Sequence, residues 1–148
     1  MTAFADFSKL YQNHKKALAE ANVFNKAVVF DALVAAGITR LTIEFDGEGD
    51  SGQLNGVAAY RGEIKMTLPP TPITLHRSQL NTLGLITHSE VLTEAIETLC
   101  YDYLEQKHDG WENNEGAYGT FEFDVGNRTV SLEFNARFVD TTTHNHTF

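Results

Sequence analysis

The chain has 148 residues, 42% of them hydrophobic, enough to bury the core of one domain without disulfide or metal staples. Its formal charge of -9 is concentrated: from Glu90 to Asp140 twelve acids face only Lys107, Arg128 and Arg137, while the other eight acids and eight bases cancel. Such a surface repels phosphate backbones, which argues against direct nucleic-acid binding and favours a protein partner or a cation. The lone Cys100 has no internal disulfide partner, as suits a reducing compartment. No apolar run is long enough for a secretion signal or a bilayer span, so a cytoplasmic protein without membrane contact is expected.

In chain order, Phe4, Phe7, Leu10, Tyr11, Leu18 and Ala21 recur at helical spacing, and Phe24, Ala27, Val28, Phe30, Val34 and Ala35 resume it after Asn22. That predicts two helices, or one broken near Asn22–Asn25, ending at Gly37, where a left-handed cap is wanted. Residues 38–46, ITRLTIEFD, alternate as a half-buried strand. The following QLNGVAAYRGEIKMTL predicts a second, bulged strand, because Gly56 and Gly62 interrupt it. All three prolines fall in LPPTPITLHRSQLNTLGL, which reads as a crossing loop.

Thr87-His88-Ser89-Glu90 has the spacing of a capping box and predicts a helix start, followed by one apolar stripe through Val91, Leu92, Ala95, Ile96, Leu99, Cys100, Tyr103 and Leu104. Asp109 and Gly110 supply its stop. GTFEFDV and RTVSLEF alternate around Gly126-Asn127, a pair that tolerates positive φ, and predict a hairpin with Phe121, Phe123, Val125, Val130, Leu132 and Phe134 on one face. The sum is an α+β fold: N-terminal helices, a four-stranded antiparallel sheet, and one long helix between the two strand pairs. It forms a single domain, with a helical region at 1–36, an α+β core at 37–140 and a tail at 141–148. The sheet's polar face would gather Glu44, Glu122, Asp124 and Glu133, whose like charges repel unless separated or neutralised by something cationic.

Two loops are chemically rich. In DGEGDSGQ, Asp46, Glu48 and Asp50 alternate with small residues, a pattern that supplies oxygens and flexibility to a divalent cation. It lacks the turn glycine and bidentate Glu of an EF-hand, and a solvated hairpin connection is the plainer account. In HDGWENNEGAYG, His108, Asp109, Glu112 and Glu115 offer ligands or an acid/base pair. Asn113 and Asn114 beside Trp111 could bind a sugar or peptide against the indole; the plainer account is a helix stop, a core Trp and a turn. His144 and His146, with His108 or Asp140, form a conditional metal set in the tail. His14 and His76 have no evident partners.

With GEGDSGQ at residues 47–53, GWENNEGAYG at 110–119 and the FxFDVxxRTVxLxFN hairpin, the chain resembles a family of small bacterial proteins known only as a domain of unknown function, over about Gly37 to Asp140. The resemblance implies a bacterial or mobile-element origin and carries no catalytic residue across. It implies that the two glycine-rich stretches belong together.

The leading expectation is a non-enzymatic binding module whose shared rim comprises Asp50, Ser51 and Gln53 with Trp111, Glu112, Asn113, Asn114, Glu115 and Tyr118, and which uses the acidic sheet face. One alternative is a divalent-metal-dependent hydrolase with Asp46, Glu48 and Asp50, or His144 and His146, as ligands. Another is an acidic inhibitor that mimics nucleic acid in the cleft of a basic enzyme.

Overall fold

One helix, α1 (Ala3–Ala35), replaces the two expected N-terminal segments, in a computed structural model that describes residues 3–48, 51–78, 85–112, 115–139 and 141–148. The helix is unbroken at Asn22–Asn25 because Asn25 spends its amide elsewhere. Its Nδ2 donates to the His76 carbonyl at 2.9 Å and its Oδ1 accepts the His76 amide at 2.7 Å. A side chain that satisfies a strand edge does not compete for its own helix backbone. His76 is therefore partnered, and its ring also stacks on Phe24 at 3.6 Å between centroids. The expected stop is present: Gly37 has φ +75°, its amide donates to the Val34 carbonyl, and the Ile38 amide donates to the Leu33 carbonyl, a Schellman cap.

The sheet has five strands rather than four, in the order β3-β2-β1-β6-β7 and antiparallel throughout. These are β1 (Arg40–Glu48), β2 (Ser51–Arg61), β3 (Ile64–Met66), β6 (Ala117–Asp124) and β7 (Thr129–Ala136). The expected bulge in β2 is real: the register against β1 shifts between Ile43 and Phe45, opposite Gly56 at φ +108°. Gly62, at φ +60°, ends β2 and turns the chain into the added strand β3.

The proline-rich stretch is not a loop. It begins a separate two-stranded ribbon, β4 (Pro72–Ser78) with β5 (Leu85–Val91). Pro69 and Pro70 precede the ribbon and Pro72 is its first residue, where a missing amide breaks no ladder bond. Ile73 and Leu75 then alternate into the core. The capping box is overturned for the same reason: Thr87–Glu90 pair with Ile73–His76 in β5, and α2 (Leu92–His108) begins only after Val91, with no side-chain cap. Glu90 accepts instead from Thr98 Oγ1 at 2.8 Å and lies 3.0 Å from His88 Nε2. The Leu92 amide is satisfied by the Thr71 carbonyl at 2.9 Å.

Of the apolar stripe, Leu92, Ala95, Ile96, Leu99, Cys100 and Leu104 are buried, together with Val29, Phe30 and Leu33 of α1, against Leu41, Ile43, Phe45, Phe121 and Phe123 of the sheet, while Tyr103 is half-buried and Val91 is exposed at the end of β5. In the β6–β7 hairpin the left-handed residue is Arg128, at φ +54°, and not the Gly126-Asn127 pair. Asp124 accepts the Asn127 amide at 3.1 Å and its Nδ2 at 2.8 Å, bonds that hold its carboxyl below the usual carboxylate range. On the polar face the acids are staggered against Thr, Ser and Arg partners. Glu44 and Glu133 flank Thr120, Glu122 faces Thr42 and Ser131, and Asp124 faces Arg40 and Thr129. The register keeps the four carboxylates from facing one another directly.

Candidate functional site

The two glycine-rich loops meet through Trp111. Gly47 and Gly52 are register partners across the β1–β2 hairpin, on the face that also carries Phe45. A Cβ on Gly47 would lie 2.5 Å from indole Cζ3, and one on Gly52 would lie 2.5 Å from Cη2. The indole therefore lies directly against both backbones, a close approach that only glycine permits. Its other contact is edge-on with Phe45, at 5.4 Å between centroids and 87°. Gly110, at φ +76° just after the Asp109 C-cap, turns the chain so that Trp111 can reach the hairpin.

Fixed there, Trp111 forms one wall of an open cleft of about 460 Å³. Glu105, Asp109 and Glu112 contribute carboxylates to the lining beside Tyr101, Gly52 and Gly110, with no basic residue among the described residues that line it. Tyr101, Glu105 and Asp109 follow one another at four-residue steps, so one face at the end of α2 builds this wall. The Tyr101 hydroxyl accepts the Leu54 amide at 3.1 Å and ties α2 to β2. Three acidic residues and an aromatic plate lining one cleft suit an organic cation, which can stack on the ring and pair with the acids.

The expected rim is divided by the sheet. Trp111 and Glu112 lie at the cleft. Asp46, Gln53 and Tyr118 are instead in one cross-strand row with Asn135 on the opposite, polar face. Glu115 is exposed and is not in the cleft lining. Asp50, Asn113, Asn114 and Asp140 lie outside the described residues, as do the side chains of Glu48, Ser51 and His14. Asp46 pairs with Arg137 Nη2 at 3.0 Å, while Arg137 Nη1 donates to the carbonyls of Gly47 at 3.0 Å and Ala117 at 3.3 Å. His108 stacks on Phe134 at 3.6 Å, and His144 and His146 are exposed in the tail. Among the described residues no three His, Cys, Asp or Glu side chains converge on a metal position.

A family of unknown function, DUF6878, matches residues 21–148. The chain belongs to DUF6878. No curated protein and no solved structure matches it. The match to DUF6878 reaches beyond the span suggested by the two motifs, taking in the second part of α1 and the tail. It starts at Ala21, a buried residue of α1.

Two residues of this cleft, Tyr101 and Glu105, escaped the sequence reading, as did Arg137, the partner of Asp46 on the opposite face. The four-residue spacing of Tyr101, Glu105 and Asp109 was a usable signal, and Arg137 stood out as a rare base in an acidic third. Beside Glu105 on α2, Asp102 has its pKa raised to about 6, first by burial and then by the charge of Glu105, with Arg77 opposing. Its folded pKa exceeds the unfolded one, so its stabilising contribution is complete below about pH 4 and is lost as pH rises toward 6. Asp102→Asn should therefore raise stability near pH 7.5 by about 1–2 kcal/mol, a range already reduced for solvent screening. Urea titrations at pH 4 and pH 7.5 check this, and a gain of equal size at both would refute it.

Among the described residues, no helix is long and apolar enough to cross a membrane.

Proposed function

We propose that this protein is a non-enzymatic binding module that receives a positively charged side chain of a protein partner in the cleft beside Trp111. The observation that carries this reading is the shared lining of one cleft by the clamped indole, Tyr101 and the carboxylates of Glu105, Asp109 and Glu112. A guanidinium suits it best, since its flat face stacks on an aromatic ring while its edge donates to carboxylates in pairs. The surrounding acidic third supplies long-range attraction for a basic segment.

Trp111 is the chain's only tryptophan, so its fluorescence reports this cleft alone. Titration with a short peptide carrying one Arg among neutral residues should quench or shift that signal. Binding should weaken about tenfold in Glu105→Gln/Glu112→Gln, and further as salt rises. A peptide with Gln in place of Arg that binds equally well would overturn the proposal.

A further inference from the structure

The last turns of α2 separate two cavities of opposite character. Tyr101, Glu105 and Asp109 border the acidic cleft, whereas Tyr103, Gln106 and Lys107 border a second cavity of about 280 Å³ between α1, α2 and the β6–β7 hairpin. Its floor is apolar: Phe121 is fully buried, and Val130 and Leu132 of β7 are half-exposed. Alternation points Val130 and Leu132 toward the core side, yet as members of the edge strand they are only partly covered. The cavity borders that incompletely covered surface.

Its rim carries Lys26 from α1 and Lys107 from α2, and among the described residues no carboxylate lines it. That composition stands out in a chain with 20 acids and only 11 lysines and arginines. Lys26 is half-buried, with its ammonium over the Phe30 ring at 5.9 Å from the centroid, and it borders the cavity. Burial pushes the Tyr103 phenol up to about 12, which keeps its O–H a donor at neutral pH. Two cations and a hydroxyl donor above an apolar floor make an amphipathic, anion-accepting site.

We infer that this cavity binds a small amphipathic monocarboxylate, its apolar body on Phe121, Val130 and Leu132 and its carboxylate between Lys26 and Lys107. At the roughly 30 Å³ that a water-sized atom occupies in a liquid, the cavity holds on the order of nine non-hydrogen atoms, the size of an eight-carbon fatty acid. This site is independent of the cleft beside Trp111.

Octanoate titrated into the full chain should shift the methyl resonances of Val130 and Leu132 saturably, with a dissociation constant on the order of a millimolar. 1-Octanol and octylamine should each bind about tenfold or more weakly, because neither meets the two ammonium groups with a negative charge. The double variant Lys26→Gln/Lys107→Gln changes only two side chains at the rim, and its retained fold is checked by its methyl spectrum. It should lose octanoate binding by about tenfold while its affinity for octanol is unchanged. The inference is overturned if the Val130 and Leu132 methyls do not respond to octanoate, if octanol binds as well as octanoate, or if the lysine substitutions leave octanoate affinity intact.

Discussion

Gly119→Ala should be the most damaging single-methyl change in this protein, lowering stability by about 3–5 kcal/mol, the upper part of the range for overpacking a core and beyond. Gly119 sits in β6 directly between Phe45 of β1 and Phe134 of β7, whose rings stack at 6.0 Å between centroids. A Cβ there would collide with the backbone carbonyl of Glu133 and come within 2.8 Å of the Phe45 ring. The carbonyl belongs to a paired strand, so no side-chain rotation relieves the clash; the β6–β7 ladder itself must part. A typical domain is stable by only about 5–15 kcal/mol, so the variant should be marginal or unfolded at 25 °C. Urea unfolding followed by far-UV circular dichroism measures it. A loss under about 1 kcal/mol would mean that the strands yield more easily than their close pairing implies.

The contact between the two glycine-rich loops gives the second large effect. Gly52→Ala should destabilise by about 1–3 kcal/mol, because its methyl group would displace the indole and the Glu112 Cβ, which is 2.9 Å from the added atom. Trp111→Ala should cost about 2–3 kcal/mol, below the figure for a fully buried aromatic, since Trp111 is half-buried against the core. In the double variant the methyl group enters space that the indole has left, so the combined loss should fall short of the sum by about 1 kcal/mol or more. A four-member urea cycle measures the difference. Strictly additive losses would show that the indole does not bear on Gly52 in solution.

Much of the fold was legible because the relevant forces are local and periodic. The α2 stripe from Leu92 to Leu104 and the alternation of Leu41, Ile43 and Phe45 place apolar groups on one side of a regular backbone, whatever lies opposite. The Gly37 cap is similarly local, built within six residues of chain. The misread elements are those whose local signal admits two uses. Thr87 to Glu90 could cap a helix or pair as a strand, and the ladder to Ile73–His76 decided it. Asn25 could break a helix or bridge to a neighbour, and the edge of β4 decided that. The prolines concealed β4 because a strand's first residue and a loop tolerate proline alike.

At the candidate site, sequence by itself determined which residues are unusual: the acidic, glycine-rich hairpin, the run from His108 to Gly119, and the concentration of negative charge. That the two stretches belong together was implied by the family resemblance. Tertiary structure alone decided what the residues do for one another. Gly47 and Gly52 make room for Trp111, Asp46 turns to Arg137 on the opposite face, and Glu105 and Tyr101 join the cleft from a helix that looked merely solvated. The physical reason is that a strand sends successive side chains to opposite faces of the sheet, so neighbours in a motif are separated in space. Long-range register and a single bulky ring then bring together residues half a chain apart.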